Sequence, residues 1–114
     1  MSESVLPNHL INFSERSLLK LPSSLYKDCK KYLSSEDIKK IQKAYSFAFY
    51  AHSGQKRKDG SDYITHPVAV TEILVDLKMD TDSICAALMH DVLEDCNVQK
   101  NNLAKMFGND VAHI

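Results

Sequence analysis

The stretch Ala87-Leu88-Met89-His90-Asp91-Val92-Leu93-Glu94-Asp95 most narrows what this chain can become, because it sets four ionisable side chains at the end of an apolar helical run. At about 100° per residue, His90, Asp91, Glu94 and Asp95 fall within an arc of about 140° on one side of a helix. Ile84, Ala87 and Leu88 occupy or border the same sector one turn earlier. A face that starts apolar and turns into a histidine and three acids is not explained by a core alone. Buried carboxylates are costly unless a cation or hydrogen bonds compensate them. A metal ion is the most direct compensation, since imidazole and carboxylate together suit first-row divalent ions.

A second histidine stands 24 residues upstream, in Tyr63-Ile64-Thr65-His66-Pro67-Val68-Ala69. Pro67 reads as the first residue of a helix, which puts His66 at or near its N-cap. In the segment that follows, Val70, Ile73, Leu74 and Leu77 are spaced as one apolar helical face. A short connection from Met79 to Asp82 then predicts an antiparallel helix carrying His90. Two helices of about 11 to 13 residues rise roughly 16 to 20 Å each, so the start of the first lies level with the end of the second. His66 is thereby expected to face His90 and Asp91 across a helical hairpin.

The remaining scaffold also reads as helical. Ser34 is placed to cap a helix whose first turn holds Glu36 and Asp37. Ile38, Ile41, Tyr45, Ala48, Phe49 and His52 follow at helical spacing, and Gly54 supplies a stop. Pro22-Ser23-Ser24-Leu25 opens a short helix running to Tyr32, with Leu25, Cys29 and Tyr32 on one side. Val98 to Phe107 forms another, closed by Gly108, and a further helix starts within Asn109–Ile114. No segment alternates in the manner of a strand, so the expected fold class is all-α. Residues 1–33 read as an N-terminal extension and 34–114 as the domain proper.

The three blocks Gly54-Gln55-Lys56-Arg57-Lys58-Asp59-Gly60, Tyr63-Ile64-Thr65-His66-Pro67 and His90-Asp91-Val92-Leu93-Glu94-Asp95, in this order and at this spacing, resemble the N-terminal hydrolase domain of RelA/SpoT homologues. The resemblance runs from about Leu33 to Ile114. It implies an HD-superfamily helical bundle that removes the 3′-pyrophosphate of the guanosine alarmone (p)ppGpp, giving GDP or GTP and pyrophosphate. It further implies Mn²⁺ held by His66, His90 and Asp91, an attacking water handled by Glu94 and Asp95, and nucleotide contacts from Arg57 and Lys58. The family's fourth metal ligand, an Asp on a later helix, has no counterpart before Ile114. The bundle is therefore expected to be incomplete, truncated on its C-terminal side, with apolar surface left for self-association or a partner. A non-catalytic HD-fold fragment or regulatory module remains the alternative reading.

Each of these groups also has a plainer reading. Lys56-Arg57-Lys58 in a glycine-bounded loop reads, alone, as a solvated turn. Arg, however, offers a planar fork that grips phosphate. His9, His52 and His113 match no metal spacing and read as packing or surface residues. Three cysteines, Cys29, Cys85 and Cys96, form no CxxC pair and argue against a disulfide framework. Cys85 falls on an apolar helix, where a buried free thiol is expected. A formal net charge of −1 gives no electrostatic case for nucleic acid or a membrane surface. No run reaches the length of a membrane span, and Met1 to Phe13, with Glu3 and no basic cluster ahead of a hydrophobic run, is not expected to act as a signal peptide. The expected setting is the cytoplasm and the expected partner a small nucleotide.

Overall fold

The structure, a computed structural model, describes residues 18–52, 65–95, 104, 107 and 108, with the side chains of residues 65, 66, 91 and 93–95 outside the described set. The first helix, α1, spans Ser23–Lys30. Pro22 precedes it in an extended conformation, and its carbonyl accepts the Tyr26 N–H at 2.9 Å. Leu25 and Cys29, one turn apart, are fully buried, while Lys27 and Lys30 lie in the last turn, where a positive charge complements the helix dipole. The chain ahead of α1 is pinned to the next helix. The Leu19 N–H donates to Ser46 Oγ at 2.7 Å and the Leu19 carbonyl accepts from Gln42 Nε2 at 2.8 Å.

Helix α2 runs from Ser35 to Ala51. Ser34 is its N-cap, as its position ahead of Glu36 and Asp37 leads one to expect, with Oγ accepting the Asp37 N–H at 3.1 Å. Its buried face is Ile41, Ala44, Phe47, Ala48 and Ala51. Phe49, set by helical spacing on one face with Ile38, Ile41, Tyr45, Ala48 and His52, is 39% exposed, and Phe47 takes a buried place. The two lie about 200° apart around the helix. Only Phe47 points at the neighbouring elements, where its ring meets Phe107 edge-on at 6.0 Å. Phe49 instead joins a surface aromatic row with Tyr45 and Tyr50. His52, read as structural, is buried at the helix end, and its N–H bonds to the Ala48 carbonyl. Gly54 lies outside the described residues.

Helix α3 spans Thr65–Asp76 and α4 spans Thr81–Asp95. α4 is the central element: it packs against both α2 and α3, while α1 closes over α2 and α3. Ile84, Cys85, Leu88, Met89 and Val92 form its buried side. An ion pair of 2.7 Å between Lys40 and Asp82 clamps α2 to the first turn of α4.

The α3–α4 turn is held by hydrogen bonds that end one helix and start the next. Met79 N–H reaches the Leu74 carbonyl at 3.1 Å and Lys78 N–H reaches Val75 at 2.9 Å, a Schellman closure with Lys78 at φ 57°. Asp80 then caps α4. Its carboxylate accepts from the Ser83 N–H at 3.2 Å and the Ser83 hydroxyl at 2.8 Å, bonds that hold its pKa below the usual carboxylate range. The connection is therefore Leu77–Asp80, and α4 starts two residues earlier than the expected boundary after Asp82.

The buried face of α3 also differs from expectation. Val70, Ile73 and Leu77 are 37%, 61% and 67% exposed, and the helix instead turns Pro67, Thr71 and Val75 inward. α3 carries apolar residues all round, so its own periodicity does not choose a side; the position of α4 does. Among the described residues there is no strand, and no helix is long and apolar enough to cross a membrane. Ala104 and Phe107 are helical, and Gly108 at φ 97° donates its N–H to the Ala104 carbonyl, in keeping with a helix that stops at this glycine.

Candidate metal centre

The elements that carry His66, His90, Asp91, Glu94 and Asp95 are the two arms of one hairpin. Ten residues separate His66 from Asp76 at the end of α3, and ten separate Thr81 at the start of α4 from Asp91. At 1.5 Å per residue both climbs are about 15 Å. With a four-residue turn between packed helices, the backbones at His66 and at Asp91 stand at the same level.

The local chemistry explains each placement. In α3, Thr65–Asp76, Thr65 and His66 are already helical, so Pro67 is not the first helical residue. Proline is tolerated there because the N–H groups of a first turn have no intrahelical acceptor. Thr71, which the sequence reading did not single out, braces this turn. It is fully buried, and its hydroxyl donates to the Pro67 carbonyl at 2.7 Å. The available signal was a threonine four residues after a helix-opening proline, the spacing at which a hydroxyl bonds back to the helix.

On α4, Leu88, Met89 and Val92 face the core while His90 is exposed. Counted around the helix, His90 lies nearly opposite the centre of the buried side. The cost of burying charge therefore does not bear on His90. It sits where a solute can reach it.

Asp91, Glu94 and Asp95 all fall in the last five residues of α4, and no basic residue occupies its last turn. Carboxylates at a helix C-terminus face the negative end of the macrodipole, an arrangement that loses about 0.3–1 kcal/mol per charge unless a cation is present. Two imidazoles and a carboxylate from His66, His90 and Asp91 make a nitrogen–oxygen donor set suited to a first-row divalent ion. The residues present fit such an ion. Among the described residues no group of three or more ligating side chains is assembled. The side chains of His66, Asp91, Glu94 and Asp95 lie outside that set, as do Arg57, Lys58, Tyr63 and Cys96 altogether.

Comparison with known proteins identifies this hairpin. The HD domain family matches residues 44–114, which include all of α3 and α4. A guanosine-3′,5′-bis(diphosphate) 3′-pyrophosphohydrolase of Vibrio cholerae serotype O1 is 43% identical over 91 residues, 80% of this chain and 13% of the relative. The bifunctional (p)ppGpp synthase/hydrolase SpoT of Escherichia coli K12 is 45% identical over 83 residues, 73% of this chain and 12% of the relative. A GTP pyrophosphokinase of Myxococcus xanthus is 41% identical over 83 residues, 73% of this chain and 11% of the relative. The chain thus spans about an eighth of the length of these curated relatives. It belongs to the HD domain family and, within it, to the RelA/SpoT homologues.

Proposed function

We propose that the α3–α4 hairpin carries a metal-dependent phosphohydrolase centre that attacks the 3′-pyrophosphate of (p)ppGpp, releasing pyrophosphate and leaving GDP or GTP. The observation that carries this reading is the grouping of His90, Asp91, Glu94 and Asp95 in the last six residues of α4, level with His66 and without a basic residue in that last turn. His66, His90 and Asp91 would hold the divalent ion, Mn²⁺ by the family resemblance. When bound, such an ion polarises a phosphoryl oxygen and lowers the pKa of a coordinated water.

The chain's own residues divide the remaining work. Glu94 stands one helical turn beyond His90 and Asp95 one turn beyond Asp91. From there they orient the attacking water and accept its proton. Arg57 and Lys58, in the sequence between α2 and α3, bind the diphosphate oxygens, with the arginine fork matching phosphate geometry. The water oxygen forms a bond to the 3′ phosphorus as the ester bond to the ribose breaks, and the ribose oxygen takes up a proton. Buried free thiols at Cys29 and Cys85 fit a reducing compartment, the cytoplasm.

A second reading, a non-catalytic module, draws on the Myxococcus relative, whose name describes synthesis while it shares this same segment. Pyrophosphate release from ppGpp by the purified chain, with and without Mn²⁺, separates the two. The hydrolase reading expects Mn²⁺-dependent turnover that disappears in His90→Ala. A folded sample that binds Mn²⁺ and releases nothing supports the module.

A further inference from the structure

Away from the hairpin, a groove runs between α1 and α2. It consists of two adjoining clefts of about 440 and 430 Å³ that share Tyr26, Ile38 and Gln42. Each is of the size at which proteins hold small organic molecules. Lys20 stands in the first cleft, and Lys30 and Lys39 stand in the second.

Among the described residues, the charge lining this groove is of one sign: no acidic residue lines either cleft. The reason lies in the register of α2, where Ser35, Ile38, Lys39 and Gln42, at i, i+3, i+4 and i+7, share one stripe. Glu36 and Asp37 turn to other sides of the helix. Among the described residues, Lys31 and Lys40 have carboxylate partners, whereas Lys20, Lys30 and Lys39 are in no ion pair.

The apolar component is equally specific. Tyr26, at the junction of the two clefts, is 42% exposed, and the ammonium of Lys30 lies 5.4 Å from the centre of its ring. A cation and an open aromatic face are thus side by side. Ile38 supplies the facing wall, while Gln42 is anchored through its amide to the Leu19 carbonyl.

We propose that the α1–α2 groove binds a small organic anion with a flat apolar body, the body resting on Tyr26 and Ile38 and the anionic group meeting Lys30 and Lys39. A flat group displaces the Lys30 ammonium from the tyrosine face and leaves it within reach of the bound anion. This site is separate from the α3–α4 centre and does not rest on the hydrolase reading.

The test is an amide-resolved NMR titration of the whole chain with naphthalene-2-sulfonate, alongside neutral 2-naphthalenemethanol and inorganic sulfate. The proposal expects saturable shifts at Tyr26, Ile38 and Gln42 with naphthalene-2-sulfonate. It expects binding weaker by about tenfold or more for both comparison compounds, and by about tenfold for the double variant Lys30→Gln/Lys39→Gln, whose amide spectrum away from the groove stays that of the folded wild type. Lys39→Gln alone, which leaves the Lys30–Tyr26 contact intact, is expected to weaken binding by a smaller factor. Binding should also fall at high salt, because these charges face solvent. Equal affinity for the neutral alcohol overturns the proposal, as does a double variant that binds like the wild type. Shifts confined to Val70, Ile73 and Leu77, or no saturable shift at all, also overturn it.

Discussion

The phenol of Tyr32 donates a 2.7 Å hydrogen bond to the carbonyl of Met79, joining the segment after α1 to the turn between α3 and α4. Ser24 Oγ makes a second link between these elements, donating to Glu72 Oε2 at 3.2 Å. Met79 is the residue that closes the Schellman turn, so Tyr32 holds the tip of the hairpin whose far end carries His66 and His90. Replacing Tyr32 by Phe removes only the hydroxyl. The bond is partly exposed, so the expected loss is about 0.5–1.5 kcal/mol. Urea denaturation should show a lower midpoint with an unchanged slope.

Lys78 occupies the left-handed position that ends α3, at φ 57°. A side chain there is disfavoured by Cβ contact with the following carbonyl, a cost glycine avoids. Lys78→Gly is therefore expected to stabilise the folded chain by up to about 1 kcal/mol, while Lys78→Val should destabilise it. Thermal melts of the two variants should move in opposite directions.

The two sides of the hairpin predict a sharp contrast in mutational cost. Ile73 is 61% exposed and Leu88 is fully buried. Leu88→Ala should cost about 2–5 kcal/mol, the price of removing buried methyl groups and leaving a cavity. Ile73→Ala should stay within about 0.5 kcal/mol of the wild type. Ile73→Lys should in addition reduce concentration-dependent light scattering, because it breaks the apolar stripe formed with Val70 and Leu77. Equal destabilisation by Ile73→Ala and Leu88→Ala would show that α3 turns its other face inward.

Burial pushes the Cys85 thiol up to about 12 from an ordinary value of 9.0, against a smaller opposing influence from Lys40. The folded state thus keeps a proton that the unfolded state gives up first. The contribution is fully present below about pH 9 and is lost as pH rises toward 12. Stability measured by denaturant unfolding should fall across this alkaline window. The fall should be shallower in Cys85→Ala, with a residual slope from Cys29, Tyr32 and Tyr45, whose pKa values are also raised by burial.

Local chemistry was enough to place much of this architecture. Ser34 followed by Glu36 and Asp37 marks a helix start that needs no tertiary contact, and the Leu25/Cys29 spacing marks a buried face that α1 in fact buries. The ordered blocks around His66 and His90 carried the family assignment, because a motif is a property of residue order. Side selection was different. α3 presents apolar residues on opposite faces, and only the position of α4 decided that Thr71 and Val75 go inward while Ile73 and Leu77 remain outside. The same holds for Phe47 over Phe49, a choice made by Phe107 from a distant part of the chain. It holds for Ser46 and Gln42, whose polar groups fasten Leu19 across more than twenty residues. Helical periodicity specifies which residues share a face, and packing against another element specifies which face loses its water. For His90 the sequence supplied the donor and its neighbours; the tertiary structure decided that it meets solvent.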